Sequence, residues 1–167
     1  MWDAIVIGGS FAGLSAAMQL ARGKAASLRA AHPDAWLLAA DQIGVLEGEA
    51  GPQLLGKPGT EEKAVAQLLA MSGRCHELVT AVVLAPPEGA ALESVDRQRL
   101  QMRAFAEPEA RAYVTRHRPL DSAGAYRIED AGIRLFERIE GDDYTGIIGL
   151  PLLAVAALLR EAGLLQP

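Results

Sequence analysis

A few residues in this chain have the type and setting for chemistry. Asp41 closes an apolar run, Trp36 to Ala40, that reads as a buried strand. An acidic residue at a strand end of an α/β sheet stands where ligands bind; elsewhere the same residue is a turn former or a helix cap. Lys57 lies in Gly56-Lys57-Pro58-Gly59. A loop lysine offers phosphate a flexible point charge, or simply stays solvated. Lys24 stands among alanines and reads by itself as an exposed helix lysine. Glu129 and Asp130 form an acidic pair of the kind that solvates a turn.

Other reactive types point to less. Glu137, Glu140, Asp142 and Asp143 could offer oxygen ligands to magnesium, but read more simply as a solvated edge. His32, His76 and His117 have no metal-ligand spacing and are expected to be structural. Cys75 is the single cysteine, so neither an intramolecular disulfide nor a CxxC pair exists. It is expected to be a small buried group in a protein of the reducing cytoplasm. Ser10 and Ser15 lack the Gly-x-Ser-x-Gly elbow of a hydrolase nucleophile.

The elements that must position these residues suit one domain of 167 residues, residues 1–167. Half the chain is hydrophobic (50%) and 22% is charged, enough for one core and a solvated surface. A net charge of −5 and 5% aromatics argue against nucleic acid as a partner. No membrane span is expected. Residues 4–21 are uncharged but hold three glycines, two serines and Gln19, and Pro151 interrupts the uncharged run from Tyr144 to Leu159.

Ala4 to Ile7 reads as a strand, Gly8 to Gly13 as a tight turn, and Leu14 onward as a helix with a weak point at Gly23. Ile43 to Glu49 is expected to pair near Leu54-Leu55. A helix should start at Thr60 and run to about Met71, followed by strands over Leu78 to Ala85 and Leu92 to Phe105. Glu107-Pro108 opens a short helix and Pro151 a last one. Ala125 to Ile128 and Ile133 to Ile139 read as two further strands. The class is α/β, a mixed central sheet with flanking helices.

Two resemblances follow from strings of residues. Asp3-Ala4-Ile5-Val6-Ile7-Gly8-Gly9-Ser10-Phe11-Ala12-Gly13-Leu14 resembles the FAD-binding start of a thioredoxin-reductase-type flavoprotein, where glycines bring the backbone to a pyrophosphate at a helix N-terminus. The acidic residue that would hold a ribose about 20 residues on is not in place, because position 33 is Pro33. From about Gln19 to Pro167 the chain resembles the Maf family of nucleoside-triphosphate pyrophosphatases. The carrying strings are Lys24-Ala25, His32-Pro33-Asp34, Ala40-Asp41-Gln42, Leu55-Gly56-Lys57-Pro58-Gly59, Pro119 to Tyr126, Glu137-Arg138-Ile139-Glu140-Gly141 and Gly149-Leu150-Pro151-Leu152.

The Maf resemblance implies a Maf/ITPase-like fold and hydrolysis of a nucleoside triphosphate to monophosphate and pyrophosphate. It makes Asp41 the general base beside a divalent cation, Mg2+ or Mn2+, and makes Lys24 and Lys57 phosphate ligands. Gln42 and Glu129, with Leu135-Phe136-Glu137-Arg138, resemble the branch acting on 7-methyl-GTP, whose cationic purine suits a carboxylate at position 129. The partner implied is a small nucleotide, with a homodimer as one open assembly. The family's opening Ser-x-Ser-Pro-Arg-Arg loop has no counterpart ahead of Lys24; residues 1–22 place a Rossmann-like strand and helix there instead. The chain therefore reads as a chimera in which Ala4 to Ile7 adds a strand to the sheet, Leu14 to Ala30 packs against it, and activity falls below that of an intact relative. An inactive nucleotide-binding remnant and an FAD-binding oxidoreductase fragment are the alternatives.

Overall fold

A computed structural model describes residues 11–48 and 51–166. The chain runs α1 (Phe11–Arg29), β1 (Leu37–Gly48), β2 (Gly51–Leu55), α2 (Glu61–Met71), β3 (Cys75–Ala85), β4 (Leu92–Met102), α3 (Glu107–His117), β5 (Phe136–Glu140), α4 (Thr145–Ile148) and α5 (Leu152–Glu161). Two short 3-10 turns, Ala123–Ala125 and Gly132–Leu135, precede β5. The five strands form one sheet in the order β2-β1-β3-β4-β5. All four described pairings are antiparallel. The mix of helices and strands, with helices on both faces of the sheet, is as expected, but among the described residues the sheet is antiparallel throughout rather than mixed. The strand expected over Ala4 to Ile7 lies outside the described residues.

β3 is central because it is apolar on both sides. Leu78, Val79, Thr80, Ala81, Val82, Val83 and Leu84 are all buried, the mark of a strand covered on both faces. Its two sets of side chains meet different partners. Val79, Ala81 and Val83 face α1, which presents Ala17, Ala21 and Ala25. Residues four apart share one helix face, and alanine there lets the helix lie close to the sheet. The opposite face carries Leu78 and, with α2, α3 and the turns, a core of large groups including Leu68, Met71, Leu100, Met102 and Tyr113. α5 closes the far end through Val155 and Leu158 on Val82 and Leu84.

Local signals account for several boundaries. Thr60 caps α2, its Oγ1 accepting the Lys63 amide at 3.3 Å, with Glu61 and Glu62 in the first turn. Gly23 does not interrupt α1, which stays one helix to Arg29. No described helix is long and apolar enough to cross a membrane.

Three expectations change. β1 does not end at Asp41. It runs on to Gly48, because no turn former intervenes and β3 pairs with it through Leu46. Asp41 thus lies mid-strand, opposite Ala81. The strand read over Ala125 to Ile128 is instead a turn: Gly124 has φ +79°, and a Cβ on it would come within 2.6 Å of the Tyr126 ring. Ala131, with φ +60°, starts the turn that occupies Gly132–Leu135, so only Phe136–Glu140 of the expected second strand forms.

Candidate active site

β2 pairs with β1 only from Gly44 onward. Beside the uncovered part of β1 lies a cleft of about 260 Å³. Asp41 and Gln42 of β1, Lys57, and Glu129 all line it. Residues far apart in sequence, to which the Maf resemblance assigned roles, thus meet at one place. Lys24 reaches it from α1. Its Nζ pairs with the Asp41 carboxylate and donates to the Ala40 carbonyl at 3.1 Å.

Because side chains alternate along a strand, Asp41 and Gln42 point to opposite faces. Asp41 points to the α1 side, where Lys24 waits. Gln42 points to the other side, next to Thr80 on β3. Its amide donates to Thr80 Oγ1 at 2.9 Å and to the Gly146 carbonyl at 2.6 Å. That second bond fixes α4, whose Ile147, Ile148 and Gly149 form one wall of the cleft. Gly146 is the only residue type that fits, since a Cβ there would overlap the Asp96 carboxylate. Burial pushes the Asp96 carboxyl above its ordinary range, while Gln98 holds it with a 2.8 Å hydrogen bond.

The facing wall comes from the Lys57 loop and from the segment after α3. The two are tied by the Gly59 amide, which donates to the Leu120 carbonyl at 2.9 Å. Asp121, Ser122 and Arg127 stand here. Arg127 gathers the segment. Its Nε donates to Ser122 Oγ at 3.0 Å, Nη1 reaches Asp130 Oδ2 at 3.2 Å, and Nη2 pairs with Asp121. That hydrogen bond holds the Asp121 carboxyl below the usual carboxylate range. Behind it the Tyr113 hydroxyl accepts from the Arg127 amide at 3.1 Å and donates to the Arg127 carbonyl at 3.3 Å. Lys57 and Glu129 are exposed at the cleft surface.

A profile of the Maf-like protein family matches residues 12–162. The chain belongs to the Maf family. It is 44% identical over 151 residues to a 7-methyl-GTP pyrophosphatase of Xanthomonas axonopodis pv. citri (strain 306), covering 90% of this chain and 77% of the relative. It is 41% identical over 144 residues to the 7-methyl-GTP pyrophosphatase of Syntrophotalea carbinolica, covering 86% and 72%. It is 42% identical over 152 residues to a protein of Methylobacillus flagellatus named dTTP/UTP pyrophosphatase, covering 90% and 73%. The Maf match starts at residue 12 and so leaves out most of the flavoprotein-like string.

The remaining reactive residues of this Maf chain are placed as follows. Asp143, from the acidic cluster, is buried and acts as a cap. Its Oδ1 accepts the Thr145 amide at 2.9 Å and its Oδ2 the Leu153 amide at 2.7 Å, joining α4 to α5. Glu137, Glu140 and Asp142 are exposed. His76 is buried and shares a 2.8 Å hydrogen bond with the Tyr126 hydroxyl. Burial pushes its imidazole down to about 4, so it is neutral at neutral pH. Cys75 is half-buried, and its Sγ accepts from Arg99 Nε at 3.2 Å. Asp121 and Arg127 went unassigned in the sequence. Arg127 carries no spacing signal, because its partners are set by the turns around it.

Proposed function

We propose that this chain is a nucleoside-triphosphate pyrophosphatase that hydrolyses the α-β phosphoanhydride, with 7-methyl-GTP as its substrate. The observation carrying this reading is that Asp41, Gln42, Lys57 and Glu129 line one cleft, with Lys24 on Asp41, in a chain whose relatives are named for that activity.

Water must be oriented and relieved of a proton as it attacks phosphorus, and the departing pyrophosphate must be neutralised. Asp41 is the group to take that proton. Lys24, ion-paired with Asp41, fixes the carboxylate and places a second cation by the phosphates. Lys57 comes from the opposite wall and draws the triphosphate across the cleft. Gln42 holds α4 against the site. Glu129 faces the base, where its carboxylate favours a purine made cationic by methylation at N7.

Asp41 also suits a divalent cation. Mg2+ and Mn2+ prefer hard oxygen donors and are commonly held by one or two carboxylates together with substrate phosphates. Among the described residues no group of three acidic, His or Cys side chains is placed to hold a metal without the substrate, so the phosphates themselves complete the set with Asp41. When bound, the cation neutralises charge on the phosphoanhydride.

Pyrophosphate release from 7-methyl-GTP, dTTP, UTP and GTP, with Mg2+ or Mn2+, tests this directly. Turnover highest for 7-methyl-GTP supports the reading. Preference for dTTP and UTP moves the chain toward the Methylobacillus relative. Binding without turnover makes it a nucleotide-binding remnant. A flavin spectrum on the purified protein would establish instead the role suggested by residues 1–17. The reading places the protein in the cytoplasm, where nucleoside triphosphates occur, and a sedimentation run tests for the homodimer.

A further inference from the structure

A second cavity, of about 170 Å³, lies behind the cleft wall. Arg103, Arg116, Arg134 and His117 line it, with Tyr113 and the single carboxylate of Glu109. Three guanidinium groups against one carboxylate is unusual in a chain of net charge −5. Arg116 and His117 complement the negative end of the α3 dipole, as last-turn cations do. Arg103 follows β4 and pairs with Glu109, and Arg134 sits in the 3-10 turn at Gly132–Leu135.

Arg103 braces one wall of the pocket. The Arg103 amide donates to the Leu135 carbonyl at 3.0 Å and its Nε to the Arg134 carbonyl at 2.6 Å. Its two Nη groups are held by Glu109, and its guanidinium carbon stands 5.8 Å from the centre of the Phe105 ring. Arg103 and Glu109 therefore neutralise each other and brace one wall. Arg116 and Arg134 form no ion pair among the described residues and leave their charge at the cavity. The Tyr113 and His117 rings, 4.8 Å apart, supply another wall.

We propose that this pocket binds a small phosphate-type polyanion through Arg116 and Arg134, at a site separate from the cleft. Planar guanidinium forks match phosphate oxygens in pairs, and the volume suits a small oxyanion better than a nucleotide. The pocket shares a residue with the cleft wall, because the Tyr113 hydroxyl carries the Arg127 backbone on its other side.

Calorimetric titration of the full chain with inorganic pyrophosphate, without nucleotide or metal, tests the site independently of the cleft chemistry. Because the cleft, as proposed, also takes pyrophosphate, its share is removed first with Lys24→Gln and Lys57→Gln; in that background one equivalent is still expected to bind. Arg116→Gln with Arg134→Gln should weaken that binding by about ten-fold or more, the scale of lost charge-assisted hydrogen bonds. Arg116→Lys with Arg134→Lys, which keeps the charge, should recover part of it. Thermal unfolding of each variant checks the fold. The proposal is overturned if the Lys24→Gln, Lys57→Gln protein binds no pyrophosphate, or if adding Arg116→Gln with Arg134→Gln to it leaves the binding within about two-fold.

Discussion

The two faces of the sheet are built on opposite plans. The α1 face is shallow and purely apolar inside, with alanines on the helix against valines and alanines on the strands. Its charges sit at the rim as ion pairs, Lys24 with Asp41 and Arg22 with Glu93. The other face buries large side chains together with neutral polar groups, His76, Thr80 and Gln98, and each of these has a fixed hydrogen-bond partner. β1 crosses between the two plans within one residue, at Asp41 and Gln42. One face therefore presents charge that is free to work, and the other holds polar groups that cannot move without cost. Exchanging the rim charges of the first should change chemistry and spare stability; exchanging the buried polar groups of the second should do the reverse.

Asp41→Asn is the strongest test. On the proposed mechanism it removes the base and a metal-binding charge at constant size, so turnover should fall by about a hundred-fold or more, while the melting temperature stays close to wild type. Lys24→Gln should also reduce turnover. The ion pair is worth only about 0–1 kcal/mol of stability, because Lys24 is 57% exposed. Pyrophosphate release and thermal unfolding on the same preparations decide the matter. An Asp41→Asn protein with most of the wild-type rate would remove Asp41 from the mechanism.

His76 offers the matching test on the other face. Its folded value is about 4 against an ordinary 6.5. Between these values the unfolded chain binds more protons, so its contribution is complete above about pH 6.5 and is lost as pH falls toward 4. The full difference is about 3 kcal/mol. Urea unfolding of wild type and His76→Gln across this window should show the wild type losing stability more steeply, with the curves converging at low pH. Parallel curves would mean that His76 is not held neutral by the fold.

How much of this was open in the sequence follows from the same division. Asp41 and Lys57 stood out locally, as an acid after an apolar run and a lysine in a glycine loop; the roles of all four residues, Lys24 and Glu129 included, came only from the Maf resemblance. The helices α2, α3 and α5 were legible through Thr60, Pro108 and Pro151. Arg127 and Asp121 were not, because left-handed backbone at Gly124, Ala125 and Ala131 decides where they point. Nothing in a window of sequence marks an alanine for that conformation. The extent of β1 was missed for a related reason: its continuation past Asp41 depends on β3, a partner more than thirty residues away.

Selectivity should respond at Glu129 with a smaller effect. Exchanging Gln42 together with Glu129 also disturbs the bonds from Gln42 to Thr80 and Gly146, so a shift in such a double variant would mix base recognition with the position of α4. Glu129→Gln alone leaves that framework intact, since Glu129 is exposed at the cleft. It should lower the ratio of kcat/KM for 7-methyl-GTP over dTTP by about ten-fold, the scale of one polar contact to the substrate. An unchanged ratio would show that position 129 does not read the base.

The smallest effect is expected within α1, where the shallow packing makes a sharp local contrast. Gly23 sits on the exposed side of the helix with open space around its missing Cβ. Gly23→Ala should therefore stabilise the fold by about 0.5–1 kcal/mol, by removing backbone freedom from the unfolded chain. A melting temperature about 1–4 °C higher is the corresponding shift for a chain of this size. Two residues away the same helix has no room. Ala21 is fully buried against the sheet, and Ala21→Leu should destabilise by about 1–3 kcal/mol through overpacking. Opposite signs at neighbouring positions follow only if α1 lies flat on the sheet along Ala17, Ala21 and Ala25. A destabilising Gly23→Ala together with a neutral Ala21→Leu would mean that the helix presents a different face.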